Sequence, residues 1–293
     1  MISIEHLLSQ LIIGTVLGSV YSLMGVGLTI IWTISGIPEF SQAGIYMLSA
    51  YMALFAVSQL NLHFFLAMLF AMMIAAVISA LIEKSVYRTV RIRPGPVWMH
   101  TALICAIGLS NLIENVGVVV YTAKPKTMPS PYPMPIQIGP ISISLQRLLI
   151  LAVAVIFFVV ISLFIKRTWL GKAIRAAAQN LEAAKLMGIN TDTIYSAIFA
   201  LGGALTGAAA VLISPLYSLF PAMGTLPLVK ALVVVVLGGL GSIPGAIVAG
   251  FIVGIVESLC TGFISAEYQH GYAFFILITV LMLRPEGIFK KKK

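Results

Sequence analysis

The chain of 293 residues has very few charged side chains. Asp, Glu, Lys and Arg together make up 9% of it, whereas 60% of its residues are hydrophobic. Charged residues make up roughly a quarter of an average soluble domain, so this composition argues against a soluble protein. Several apolar runs are long enough to cross about 30 Å of hydrocarbon. The composition therefore indicates a polytopic membrane protein.

Cysteine and histidine are also scarce. Cys105 and Cys260 both lie inside apolar runs, and the 4 histidines are scattered near the ends of such runs. This distribution excludes a disulfide framework and gives no metal-ligand spacing, so we expect no metal and no cofactor on this chain. The alternative of a membrane enzyme needs His, Asp or Cys clustered at catalytic spacing, and the sequence has no such cluster.

A glycine-rich segment is present, but it is not a phosphate-binding motif. The run from Gly238 to Gly245 lacks the Lys-Ser/Thr ending and the spacing of a Walker A motif, and we interpret it as a turn between two passes. The sequence therefore contains no nucleotide site of its own. The net charge of +9 does not indicate a nucleic-acid partner, because the basic residues are not interleaved with a soluble aromatic surface.

The hydrophobic runs predict an all-α polytopic membrane protein with about eight to nine transmembrane passes, forming one domain over residues 1–293. The second and seventh runs are short and flanked by Gly or Pro, so half-helices are the alternative there. A secondary transporter or channel is the alternative class, but it would need inverted repeats, and no clear internal repeat is visible. The predicted passes are Leu7–Trp32, Ser41–Val57, Leu62–Ile82, Trp98–Tyr121, Leu148–Ile165, Ile194–Leu219, Leu226–Leu240, Gly245–Phe263 and Tyr272–Leu283.

Lysine and arginine predict the orientation. Most of these residues fall in three loops that nine passes place on one side, which the positive-inside bias makes cytoplasmic. The N-terminus and the proline-rich loop Thr122–Gln146 are then outside, and the C-terminus is cytoplasmic. We expect that loop to be extended. The three basic loops contain Lys84, Arg88, Arg91 and Arg93; Lys166, Arg167, Lys172, Arg175 and Lys185; and Arg284 with Lys290 to Lys293, whereas Lys124, Lys126, Arg147 and Lys230 are predicted on the outer side.

The second basic loop includes a polar, alanine-rich stretch, Gly171–Asn190, between two apolar runs. Asn180 is predicted to cap a short helix that has Glu182 in its first turn and ends at Gly188. A helix of two turns is marginal alone in water. We therefore interpret the stretch as an element that docks on a soluble partner, with an ordinary interfacial loop helix as the alternative.

Polar side chains within the apolar runs are candidates for a substrate path, because they are costly inside a membrane. Asn111, Glu114 and Asn115 form one polar patch on the fourth pass. For Asn115, and for Glu257 in the eighth pass, hydrogen bonding that only holds helices together is an equal alternative. The predicted path residues are Glu39, Gln42, Asn111, Glu114 and Asn115.

A series of short segments is similar, in order and spacing, to one known family. These segments are Gly18–Leu23, Tyr46–Leu48 with Ala50-Tyr51, Ile107–Ser110, Ser144–Leu148, Gly171–Gly188, Val236–Ala246, Val256–Ser258 and Leu283–Gly287. With them the chain resembles, nearly end to end, the shorter permease type of the branched-chain amino acid ABC importers.

The resemblance implies a permease of type II importer fold in the bacterial inner membrane, which is not itself an enzyme. It also implies a second permease subunit, two cytoplasmic ATPase subunits that hydrolyse ATP, and an extracytoplasmic substrate-binding protein as partners. The region at about 166–192 would be the coupling region that contacts the ATPase. The coupling residues implied are Gly171, Arg175, Ala176, Asn180, Glu182, Ala183, Leu186 and Gly188.

Three places depart from the family pattern. The run Glu39–Ala43 replaces an Asn-Phe-Ala-His-Gly-like run, Glu114 stands where Gln is usual, and Asn111 stands where an apolar residue is usual. Most of these changes make the implied path more polar or acidic. A branched-chain or other zwitterionic amino acid is the expected cargo, with a small amide or a cationic amino acid as the alternative.

Overall fold

The computed structural model describes residues 4–92, 98–132, 134–138, 141–284 and 287–289. These residues form twelve α-helices and one short β-hairpin. A π-helical turn, Glu83–Tyr87, joins α3 to α4, and a 3-10 turn, Pro221–Gly224, precedes α10. The elements are α1 Ile4–Ser35, α2 Gln42–Ser58, α3 Phe64–Ile82, α4 Arg88–Ile92, α5 Trp98–Tyr121, β1 Pro135–Ile138, β2 Ile141–Ser144, α6 Leu145–Arg167, α7 Trp169–Gln179, α8 Leu181–Leu186, α9 Thr191–Ile213, α10 Thr225–Gly238, α11 Ile243–Phe263 and α12 Gln269–Leu283.

The predicted all-α membrane architecture is confirmed. Among the described residues, 7 helical segments are long and apolar enough to cross a membrane. The predicted seventh pass is one of them, because the 3-10 turn extends α10 to the 18-residue segment Pro221–Gly238. The helix α2, with 17 residues, and the segment Gly271–Leu283 of α12 are shorter and apolar. These two correspond to the second and ninth predicted runs, so the predicted count of about eight to nine passes is approximate.

The glycines of α1 and α11 let these helices pack backbone against backbone. A Cβ atom added to Gly14 would lie 2.7 Å from Ile255 Cα, and one on Gly18 would lie 2.8 Å from Phe251 Cα. On α11, Gly254 faces the backbone of Gly18 in return. Small residues of this kind allow close helix approach in membranes, where packing replaces the hydrophobic effect as the driving force. The helix α1 is consequently buried over most of its length.

The predicted extended outer loop contains the β-hairpin. Its two strands pair antiparallel, with Gln137 opposite Ser142. Earlier in the loop, Lys126 and Leu219 exchange two backbone hydrogen bonds of 2.8 Å, which fixes the loop beside the segment that follows α9. Several residues used in the predictions lie outside the described part of the chain, namely Arg93, Pro133, Pro140, Pro285, Glu286 and Lys290 to Lys293.

The three basic loops lie at one end of the bundle, and the hairpin lies at the other. Arg88 of the first loop contacts Asp192, directly after the second loop, at 2.7 Å. In the third loop, the backbone N–H of Ile288 donates to the carbonyl oxygen of Leu237 at 2.9 Å. Phe289 also lines a groove that contains Lys166 of the second loop. The clustering of these loops agrees with the arrangement predicted from their charge.

Candidate functional site

Two short helices, α7 and α8, form the predicted coupling stretch. Thr168 caps the N-terminus of α7, and its hydroxyl accepts a hydrogen bond from the N–H of Gly171 at 3.0 Å. Asn180 caps the N-terminus of α8 as predicted, and its Oδ1 accepts from the N–H of Ala183 at 3.0 Å. Gly188, with φ of +84°, follows the end of α8. A left-handed backbone favours glycine, so the predicted helix stop is confirmed.

The first short helix is packed tightly on the end of α6, whereas the second is exposed. A Cβ on Gly171 would lie 2.5 Å from the carbonyl oxygens of Phe164 and Ile165. The Arg175 guanidinium donates to the same Ile165 oxygen. Ala176 is half-buried. The remaining predicted coupling residues are exposed to solvent: Asn180, Glu182, Ala183, Leu186 and Gly188.

Beside the coupling stretch, a charged cluster connects the π-helical turn and α4 to α9. Glu83 is fully buried and accepts from Arg91 at 3.1 Å and from the Ser196 hydroxyl at 2.8 Å. Arg91 also contacts Asp192 at 2.9 Å and lies 3.5 Å from the ring centroid of Tyr195. Sequence reasoning did not find this cluster, because its carboxylates belong to helices that are far apart in the chain.

The buried carboxylate Glu39 lies in the connection between α1 and α2. Its Oε1 accepts hydrogen bonds from the N–H of Ser41 at 3.0 Å and from the Tyr87 hydroxyl at 2.8 Å. Burial raises the pKa of the Glu39 carboxyl to about 7, although these hydrogen bonds oppose the rise. Nearby, the fully buried Gln42 donates from Nε2 to the Ser79 hydroxyl at 3.2 Å. Glu39 is thus bound to the π-helical turn, and Gln42 is bound to α3.

The other three predicted path residues are on α5, facing away from the bundle core. Asn111 and Asn115 are exposed, line a groove of about 560 Å³, and share a 2.7 Å hydrogen bond from Asn115 Nδ2 to the Asn111 carbonyl. Glu114 is half-buried, and its carboxylate has no hydrogen-bonding or charged partner within the described part of the chain. The five predicted residues therefore separate into a buried pair, Glu39 and Gln42, and a group on α5 in which two asparagines are exposed and Glu114 is half-buried.

Lys230, which is predicted on the outer side, is buried between helices and not exposed in a loop. Lys230 is in α10, is 6% exposed, and donates from Nζ to Glu257 Oε1 at 2.6 Å and to the Tyr21 hydroxyl at 3.0 Å. Gln269 also donates to Glu257 Oε1, at 2.9 Å. A positive charge can remain among apolar helices because an acidic partner and hydrogen bonds compensate it. Opposite charges in the predicted seventh and eighth passes were the sequence signal for this pair.

The interhelical bonding considered for Glu257 is confirmed, since its carboxylate connects α1, α10 and α12 to α11. No group of three or more His, Cys, Asp or Glu side chains in the described residues is arranged to hold a metal ion.

The family model described as "branched-chain amino acid transport system / permease component" matches residues 10–283. The permease protein BraD of a high-affinity branched-chain amino acid transport system in Pseudomonas aeruginosa is 35% identical, and the match covers 97% of this chain and 96% of BraD. The corresponding LivH of Escherichia coli K12 is 32% identical over 97% of this chain and 95% of its own. Among solved structures, PsaBC from Streptococcus pneumoniae in complex with Fab has a TM-score of 0.49 at 14% identity, covering 96% of this chain and 93% of its own.

Proposed function

This chain belongs to the family of permease components of branched-chain amino acid transport systems, and we propose that it is the membrane subunit of an ATP-driven importer for branched-chain or related amino acids. The observation that carries the proposal is the α7–α8 segment at the basic end of the bundle. This segment presents two large apolar side chains, Leu186 and Met187, which are 88% and 83% exposed.

Such exposure favours docking to a soluble protein. A helix of six residues gains stability mainly from burying an apolar face, yet Leu186 faces solvent at the end of α8. A groove on a cytoplasmic ATPase would cover it. The chain has no Walker A motif, so we assign ATP hydrolysis to two separate ATPase subunits.

The packing around the docking segment suits the transmission of a movement into the membrane. Gly171 and Arg175 fix α7 to the end of α6. Asp192, at the start of α9, is bound by Arg91 and Arg88 of the α4 segment. A displacement of α8 by the ATPase would therefore be passed to both α6 and α3, because close packing and ion pairs resist independent motion.

We assign the exposed face of α5 to a second permease subunit. Hydrocarbon offers no hydrogen-bonding partners for exposed amide side chains, so Asn111 and Asn115 are unfavourable against lipid. A substrate path between the two permeases would be lined by this face and would include Glu114. Such a path explains why Asn111 and Asn115 are exposed. The partner is either an identical copy or a paralogue of this chain.

The basic end of the bundle is proposed to be cytoplasmic, by the positive-inside bias. The N-terminus and the hairpin are then outside, where an extracytoplasmic substrate-binding protein would dock. Impermeant thiol labelling should reach a cysteine introduced at Ser130 and should miss one at Arg88. The reverse pattern would contradict this orientation.

Replacing Ala183 with tryptophan tests the docking role directly. Ala183 is exposed on α8, so the change leaves the bundle intact but prevents close contact with a partner. We expect the transporter to insert normally and to lose the coupling between ATP hydrolysis and uptake. The measurement is leucine uptake together with the ATPase rate in vesicles that hold the complete transporter.

The matched control is Met73→Trp, a position that is 63% exposed in the middle of α3 and away from both ends of the bundle. It should leave uptake and ATPase activity unchanged. Normal coupled uptake by the Ala183 variant would refute the docking role of α8.

A further inference from the structure

A cavity of about 220 Å³ lies among α1, α2, the end of α9 and the start of α10. It is at the hairpin end of the bundle, because its lining residue Phe220 follows Leu219, which pairs with Lys126 of the outer loop. The lining is mostly apolar. Val20, Ile213, Met223 and Leu226 supply aliphatic surface, and Tyr46 and Tyr217 supply aromatic surface.

One side of this cavity is polar. Tyr21, Lys230 and Gln269 all line it, and all three bind the buried Glu257 carboxylate. Ligand sites in proteins have this composition, with apolar walls and a few polar groups that fix the orientation of the ligand.

Two hydrogen-bonding groups of this cluster have no partner among the described residues. A lysine ammonium has three N–H donors, and two of those of Lys230 go to Glu257 and Tyr21. Its third donor has no acceptor among the described residues. The second carboxylate oxygen of Glu257, Oε2, is also buried without a partner there. Of this ion pair, Lys230 lines the cavity, so its free N–H is placed to bind an anionic group of a ligand.

We propose that this cavity binds a small zwitterionic amino acid with a branched aliphatic side chain. The ligand carboxylate accepts the free N–H of Lys230, and its ammonium lies against the aromatic rings of Tyr46 and Tyr217. The branched side chain contacts the aliphatic wall. This inference rests on the proposed function and adds a binding site within one permease subunit, at its outer end.

The site is separate from the exposed α5 face but close to it. Tyr46 of α2 lines the cavity, and the next residue, Met47, contacts Gly117 of α5. One helix thus lies between the bound amino acid and the face assigned to the path.

The test is protection of an introduced cysteine from an impermeant maleimide. Ser218 is exposed and lines the cavity, so Ser218→Cys is the reporter in a chain whose Cys105 and Cys260 are replaced by alanine. With leucine at ten times its Kd, occupancy should slow alkylation roughly tenfold by mass action. The matched control is Lys124→Cys, an exposed loop position outside the cavity, whose alkylation should not change.

Two leucine analogues test the assigned chemistry. The acid 4-methylpentanoate keeps the carboxylate and should protect the reporter, whereas 3-methylbutylamine lacks it and should not. Protection by the amine equal to that by leucine would overturn the role of Lys230 as the carboxylate anchor.

Lys230→Met should abolish protection by leucine. Because that change leaves Glu257 unpaired and can prevent folding, the variant Lys230→Met with Glu257→Gln removes both charges and gives the same readout. Protection that persists in the double variant, or no protection in the parent chain, would overturn the site.

Uptake of leucine by the complete transporter, with ATP and the binding protein, separates this inference from the proposed function. Uptake without protection refutes the cavity site alone. Protection without uptake of any branched-chain amino acid refutes the proposed function alone.

Discussion

Two arginines of α4 bind the same carboxylate but should differ strongly in their effect on stability. Arg88 and Arg91 both contact Asp192, at 2.7 and 2.9 Å. Arg88 is 45% exposed, whereas Arg91 is 18% exposed and also binds the fully buried Glu83. Replacing each arginine with methionine keeps the apolar part of the side chain and removes the charge.

The expected loss of stability in each variant depends on how deeply the broken ion pair is buried. Arg91→Met leaves the Glu83 carboxylate inside the protein with only the Ser196 hydroxyl as a partner. Removing one member of a buried pair costs about 3–5 kcal/mol. Arg88→Met breaks an exposed pair, and such pairs contribute about 0–1 kcal/mol. Glu83→Gln combined with Arg91→Met should recover much of the loss, since no buried charge remains.

Thermal unfolding of the detergent-solubilised protein, followed through a dye that reacts with newly exposed cysteines, measures the order of these effects. Because unfolding of this kind is often irreversible, the comparison is made at one scan rate. We expect the Arg91 variant to unfold several degrees below the Arg88 variant, with the double variant between them. Equal transition temperatures for the two single variants would refute the argument from burial.

Three further outcomes are expected. Gly254→Ala places a methyl group against the backbone of Gly18 and should lower stability by about 1–3 kcal/mol in thermal unfolding, whereas Gly108→Ala, which meets nothing within 4 Å, should not. Because folding raises the pKa of the Glu39 carboxyl from 4.5 to about 7, the protonated carboxyl stabilises the folded state fully below pH 4.5, and this stabilisation is lost as the pH rises through 7. Glu39→Gln should therefore remove the decrease in unfolding temperature over this pH range. An unchanged pH profile in the variant would contradict the assignment. Glu114→Gln should change the uptake of cationic relative to neutral amino acids at matched expression, and an unchanged uptake profile would exclude a role of Glu114 in selectivity.

Features set by neighbouring residues could be predicted from the sequence. The cap of α8 at Asn180 and its end at Gly188 depend on hydrogen bonds and backbone angles within a few residues. The residue types at these neighbouring positions are therefore enough to predict them. The long apolar runs likewise predicted the helices, because spanning a membrane needs about 20 apolar residues in succession.

Features set by contacts between distant helices were missed. Arg91 and Asp192 are separated by 101 positions, and Lys230 and Glu257 by 27, so no local pattern indicates either pair. Hydropathy alone is ambiguous for Lys230, since a charge near the end of an apolar run can lie outside the membrane or be neutralised within it. The polar patch on α5 was predicted from the spacing of its residues along the helix. Its position on an outward face depends on the packing of the whole bundle, which that spacing does not determine.

The three fully buried carboxylates of the described residues have different surroundings. Glu83 contacts Arg91, and Glu257 contacts Lys230. Glu39 binds only hydroxyl and backbone N–H groups, and its Oε2 has no partner in the described chain. Burial without a neighbouring cation favours the neutral form and raises the pKa of the Glu39 carboxyl, which accepts the Tyr87 hydroxyl and so connects the α1–α2 connection to the π-helical turn. The π-helical turn that ends at Tyr87 leads directly into α4 and Arg91, and therefore connects this titratable group to the coupling stretch.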